Sequence, residues 1–185
     1  MLNMFYKSLK ISLLALFLST AIAPAQAQPE EKRKIDQPAN TKREFEESYA
    51  WRIQQTHLVG VYIPKDLMDA FRELDKKTDE SSRMKFKSLD ENEAERKLFF
   101  SLGRWIWSNW SFYEGSRLSH WFKEVGITYP DDMTRIILIA YHRKLNGKDI
   151  DFKGLATRFK EKRRAEHEAW LLKNGIDPTQ LKPKQ

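Results

Sequence analysis

The sequence predicts an all-α or mainly α fold: a small helical domain around a central Trp-rich helix, with an N-terminal helical arm and a basic C-terminal helix. Three observations carry that expectation. Apolar residues recur at three- and four-residue spacing through most of the chain after residue 41. The segments so formed tend to open on helix-capping residues, and several close on Gly or Asn-Gly. Leu98 to Trp110 packs two Phe and three Trp into thirteen residues, a density of large rings that points to the middle of a core.

The first 27 residues read as an export leader rather than as fold. Lys7 and Lys10 give a positive start, and Ile11 to Ala23 is a short apolar run. Ala25-Gln26-Ala27 then fits small-x-small cleavage, which would leave Gln28 as the new N-terminus. The other reading is an uncleaved anchor, for which the run is short. No Cys stands at the cut or anywhere in the 185 residues, which removes disulfides and thiolate metal sites. The net charge is +7, and loss of the two leader lysines leaves +5. An exported basic chain can meet anionic lipids, wall polymers or an acidic protein; nucleic acid is not expected in that compartment.

Residues 28–40 are polar, charged and hold two prolines, as in a disordered linker. An N-terminal helix and extended arm are expected over 41–62. Thr41 to Glu44 has capping-box spacing, and Phe45, Tyr49 and Ile53 form one stripe. Leu58 to Ile63 is β-prone, fit for an extended arm or half of a small hairpin. A helical domain is expected over 63–148. Pro64 suits a first helical turn, followed by the Leu67, Met68, Phe71, Leu74 face. Asp75 to Ser82 reads as a loop, and Ser88 to Glu91 as the capping box of the central helix, 91–110. On a 100° wheel, Ala94, Leu98, Phe99, Leu102, Trp105, Ile106 and Trp110 share one side. Phe100 and Trp107 fall on the other, two turns apart, either covered by a neighbour or forming an exposed aromatic partner surface. Gly103 beside them suggests close backbone approach. Leu118, Trp121, Phe122 and Val125 predict a short helix at 116–125, stopped by Gly126. Pro130-Asp-Asp opens the next, near 132–145; its run Ile136 to Tyr141 could pass for a strand, but its acidic start and Asn146-Gly147 stop favour a helix. A basic helix at 149–175 puts Phe152, Leu155, Phe159 and Trp170 on one face. Between them lies a charged stretch in which Arg163 and Arg164 offer a docking face for an acidic partner, or a solvated surface. Residues 176–185 form a polar tail.

The ordered string Ile63-Pro-Lys-Asp-Leu67, Gly103-x-Trp105-Ile106-x-x-Asn109-Trp110, Gly115-Ser-Arg-Leu118, Phe122, Gly126-Ile127, Pro130-Asp-Asp-Met133 and Tyr141-His-Arg-x-Leu-Asn-Gly147 resembles an uncharacterised bacterial domain family of unknown function. Two positions depart from that pattern: Trp107 stands where Arg is usual and Tyr129 where His is. The resemblance implies a small, mainly helical domain and assigns no activity, cofactor or site residue.

Catalytic signatures are scarce. The four His residues, His57, His120, His142 and His167, show no His-Glu-x-x-His spacing, so no metal site is expected. No Gly-x-Ser-x-Gly elbow and no phosphate-binding Gly-Lys loop occurs, and no cofactor is expected. The polar residues set in apolar context are Asn109, Arg117 and His142. Each needs a partner if buried. They form either a structural network, with Arg117 tied to Asp131, Asp132 or loop carbonyls, or an anion- or carbonyl-binding pocket walled by Trp105, Trp110 or Tyr141. The function expected is therefore an exported, non-enzymatic binding or interaction protein of the bacterial cell envelope. The alternatives are an enzyme using Arg117 and His142 on an envelope substrate, and a peripheral binder of anionic membrane through the basic helix.

Overall fold

The computed structural model describes residues 39–180. The export leader, all but the end of the linker, and the last five residues lie outside them. Within them the protein is mainly α. Helix α1 is Lys42–Arg52, followed by a two-residue hairpin, β1 His57–Leu58 and β2 Val61–Tyr62. Then come α2 Leu67–Lys77, α3 Glu80–Ser88, α4 Glu91–Leu98, a π-helical segment Phe99–Gly103, and α5 Arg104–Asn109. Helices α6 Arg117–Glu124, α7 Pro130–Leu145 and α8 Phe152–Lys173 complete the body, with a 3₁₀ turn at Pro178–Gln180. No helix among the described residues is long and apolar enough to cross a membrane.

The hub is α7, not the Trp-rich rod. It packs against α2, α3, α4, the π segment, α5, α6 and α8. Ten of its residues between Asp132 and His142 are buried. A helix covered on all sides needs no polar face, which is why Ile136 to Tyr141 lacks helical periodicity and can be read as a strand. Pro130 at its first turn and the acids behind it set the start as expected. The Trp-rich rod is a neighbour of this hub, with Ile106 and Trp110 buried and Trp105 partly covered.

Several boundaries differ from expectation. Helix α2 starts after Pro64, with the Asp66 side chain accepting from the Asp69 N–H. The stretch expected as a loop is mostly helix. Asp79 caps α3 by accepting from the Ser82 N–H, and Phe86 is the one α3 residue buried. So polar a helix carries little amphipathic signal. Ser88 ends α3 by donating to the Lys85 carbonyl, and Asp90 is the cap of α4.

The π segment changes the phase of the rod. A residue inserted into the α-helical ladder turns everything after it by about 100°. Phe100 and Trp107 therefore do not share one patch. Phe100 stands 80% exposed, edge-on to Phe99 at 5.2 Å, whereas Trp107 packs partly buried against the core and meets Tyr113 at 5.3 Å. Gly103 closes the segment against α7: a Cβ there would lie 3.1 Å from Thr134 Cγ2 and 3.4 Å from Leu138 Cδ1. That is the close approach its position suggested.

The flanking helices are pinned to this body. Tyr49 of α1 lies over Gly115, its OH 3.0 Å from His120 Nδ1 and its ring 4.4 Å from the Lys123 ammonium. Helix α8 runs back along α7, burying Leu155, Ala156 and Phe159. Arg163 then meets Asp132 in the first turn of α7, at 2.6 and 2.8 Å. The ten residues after it extend about 15 Å past the start of α7. Trp170 shares the wheel face of Phe159 but reaches no core; it is 56% exposed and stacks on His167.

Carboxylates tie neighbouring helices to α7. Arg143 makes a two-bond fork with Glu91, both at 2.8 Å, and this holds the Glu91 carboxyl below its ordinary pKa. Asp75 accepts from Tyr141 at 2.8 Å and from Lys144. Burial raises the Asp75 pKa, but these bonds outweigh it and leave it lowered. On acidification the unfolded chain takes up protons before these carboxyls do, so their contribution is complete above about pH 5 and fades as pH falls through about 4. We expect urea stability to drop across that window. Glu91→Gln should lower stability at pH 7, and its gap to the wild type should narrow as pH falls below about 4; a gap unchanged from pH 7 to 3 would contradict the assignment.

Candidate functional site

A half-open cleft of about 400 Å³ lies between the hairpin, α2 and the end of the Trp-rich rod. His57, Gly60, Val61 and Tyr62 line it from the hairpin, Glu73 and Lys77 from α2, and Trp105, Asn109 and Trp110 from the rod. Its size falls within the usual range for ligand pockets.

The hairpin is two residues long on each strand, paired His57 to Tyr62 and Leu58 to Val61. Both turn residues have positive φ, Val59 at 48° and Gly60 at 76°, as a tight two-residue hairpin requires. Gly60 adopts this freely; Val59 is β-branched and strained there, and at 87% exposure it gains no burial in return. Leu58 is buried, while the cross-strand pair His57 and Tyr62 meets edge-to-face at 5.3 Å.

Tyr62 is held from behind. Its OH donates to Asp69 Oδ2 at 2.8 Å, and Asp69 also accepts from the Lys65 N–H and from Arg72. Burial pushes the Asp69 carboxyl up, but these bonds together hold it below the usual carboxylate range. The bond to Asp69 in turn raises the Tyr62 pKa. Arg117 completes the support: its Nε donates to the Ile63 carbonyl at 2.7 Å, its Nη2 sits 4.0 Å from Asp69, and its guanidinium lies 5.0 Å from the Tyr62 ring centre. Arg117 thus finds a loop carbonyl, as expected, but its carboxylate is Asp69. Asp131 accepts from Tyr113, and Asp132 is taken by Arg163.

The other expected site residues separate. Trp105, Asn109 and Trp110 come together in the cleft, with the two indoles edge-to-face at 5.7 Å. The Asn109 amide nitrogen donates to the Trp105 carbonyl at 2.9 Å, which leaves its oxygen as an acceptor for the cleft. Tyr141 and His142 line no part of it. Tyr141 lies in the core near Phe71 and Phe86, its pKa pushed up to about 12 by burial and by Asp75. His142 Nε2 lies 3.0 Å from the Leu89 carbonyl, which can only accept, so that nitrogen carries the proton. His142 Nδ1 is buried with no hydrogen-bond partner. Arg117 and His142 share no hydrogen-bond partner. Among the described residues, no group of three or more His, Asp or Glu is placed to hold a metal ion.

Sequence reasoning missed His57, Tyr62, Glu73 and Lys77. The signals were present in part: a Val-Gly turn makes His57 and Tyr62 cross-strand partners, and Glu73 and Lys77 are one helical turn apart. Nothing local announces that both would face Trp105.

The two arginines of the basic helix divide as well. The Arg163 guanidinium is committed to Asp132 and Glu166, so it is an internal tie rather than a free docking group. Arg164 is exposed, 3.9 Å from Glu168. Arg163→Glu should therefore lower the melting temperature, because it sets a carboxylate against the buried Asp132 and costs about 3 kcal/mol or more. Arg164→Glu should stay within about 0.5 kcal/mol of wild type. Equal effects in thermal denaturation would refute the distinction. A second variant probes the hairpin: Val59→Asn, better suited to positive φ, should raise stability by about 1 kcal/mol, and an unchanged or lower value would show that the turn carries no strain.

No curated protein and no solved structure matches this chain. Residues 63–145, which run from α2 through α7 and supply Glu73, Lys77, Trp105, Asn109 and Trp110 to the cleft, match the family model described as a domain of unknown function, DUF6794.

Proposed function

We propose that this chain is an exported binding module of the bacterial cell envelope, and that the aromatic cleft is its ligand-facing surface. One observation carries the reading. The cleft gathers partly exposed rings and polar side chains around a hairpin that is braced from behind by Asp69 and Arg117. Bracing of this kind keeps a binding surface ordered before the ligand arrives and lowers the entropic cost of association. The leader-like start of the sequence, with its apolar run and Ala-Gln-Ala at 25–27, supports the compartment. The enzymatic alternative draws no support from Arg117 and His142, which hold separate structural partners.

Export is tested by the mass of the chain recovered outside the cytoplasm. It should begin at Gln28; retention of the leader in the membrane fraction would overturn that part. Binding is tested by nuclear magnetic resonance on the isotope-labelled exported chain, titrated with solubilised envelope fractions and, separately, with anionic lipid vesicles. At least one envelope fraction should shift the resonances of His57, Tyr62 and Asn109. No shift with any fraction sinks the reading. Binding to vesicles alone, lost in Arg164→Glu, would move the activity to the C-terminal half of α8, which carries Arg164, Lys173 and the exposed Trp170 and Leu172.

A further inference from the structure

We infer that the cleft takes a neutral saccharide, one or two rings of a glycan chain; this rests on the binding-module reading above. The argument is one of matched chemistry. The lining is rich in rings: Trp105 and Tyr62 are partly exposed, His57 is exposed, and Trp110 is buried. A pyranose ring carries C–H bonds on its flat faces, which pack on the electron-rich face of an aromatic ring, and hydroxyls around its edge. Each hydroxyl both donates and accepts, so it needs mixed partners.

The cleft supplies that mixture. Asn109 offers an amide oxygen and a second amide N–H, the first N–H being given to the Trp105 carbonyl. Glu73 offers a carboxylate, one oxygen of which is bound to the Lys76 ammonium at 2.7 Å. Lys77 offers an ammonium that has no ion-pair partner among the described residues. His57 adds an imidazole whose Nδ1 lies 3.1 Å from the Thr56 hydroxyl.

The charges decide between ligand classes. Glu73 and Lys77 sit one turn apart on α2 at the same opening, with one Glu73 oxygen already taken by the Lys76 ammonium. A phosphate or carboxylate ligand drawn to Lys77 would lie beside the Glu73 carboxylate, whose charge Lys76 offsets only in part because that ammonium is largely exposed. A cationic ligand drawn to Glu73 and the rings would meet Lys77. A polyhydroxylated neutral ring uses both without a charge penalty. The remaining requirement is rigidity, since a weakly bound ring cannot also order its site. Tyr62 is fixed through Asp69, and the strand that carries it through the Arg117 bond to Ile63.

The test is a resonance titration of the labelled exported chain with chitotriose, cellotriose and, as an anionic counterpart, trigalacturonic acid. At least one neutral trisaccharide should bind saturably, with Kd on the order of 1 mM, and shift Tyr62, Asn109 and the Trp105 indole N–H. Trp105→Ala should weaken it about tenfold or more. Lys77→Met, on an exposed side chain, should weaken it about threefold and serves if Trp105→Ala does not fold. The inference is overturned if neither neutral sugar binds, if the acidic one binds more tightly, or if a folded variant binds as the wild type does. Failure of the sugars while an envelope fraction still shifts the cleft removes the saccharide and leaves the binding module standing.

Discussion

Burial of α7 on every side is the constraint from which the other placements follow. Such a helix gains its apolar transfer energy only if its polar side chains are paired before water is lost. The partners come from elsewhere in the chain. Asp75 of α2 takes Tyr141 and Lys144; Glu91 and Glu95 of α4 take Arg143 and Arg135; the Leu89 carbonyl takes His142. In the opposite sense, Asp132 of α7 takes Arg163 of α8. Pairs of this kind add little net stability against an apolar replacement, but they set where each neighbour stops. Because Asp75 fixes α2 along the hub, it also fixes Glu73 and Lys77, two residues to either side, at the cleft.

The cleft depends on a second layer of the same logic. Asp69 and Arg117 act inside the protein, one bonded to the Tyr62 hydroxyl and the other lying over its ring, and what they stabilise is the partly exposed Tyr62. The strained Val59 sits at the tip of the hairpin so braced. Strain of this sort persists where the surroundings over-determine the backbone, and it recurs at sites that bind. Bracing and strain together mark the hairpin as a built surface rather than a loose connection.

Much of the secondary structure was legible, and the reasons for the exceptions are physical. Start signals such as the Thr41 capping box and Pro130 in a first turn act within four residues, so they are local and survive in the sequence. Helix α3 was missed because it buries little beyond Phe86. The hub was misplaced because ring density drew attention to Trp105 and Trp110, whereas the helix with most neighbours is aliphatic. For the site, the need of Arg117 for an acceptor could be read, but not the identity of Asp69, which lies far along the chain and is brought near only by the packing of α2. The same holds for Tyr141 and His142: their polarity announced partners, and those partners lie at the α2–α3 and α3–α4 junctions rather than in a pocket.

The π-helical segment at Phe99–Gly103 has a reach beyond its own five residues. Upstream of it, the rod turns Ala94 and Phe99 toward the hub; downstream, it presents Trp105 and Asn109 to the hairpin. The extra residue works as a rotational key between these two duties. A chain that lost one residue there would keep its composition, its caps and its ionic ties, and would wind as an ordinary helix. It would then aim its indoles about a quarter-turn off the hairpin. Insertions and deletions in this short window are therefore the genetic changes by which relatives could keep the scaffold and re-aim the side chains that line the cleft.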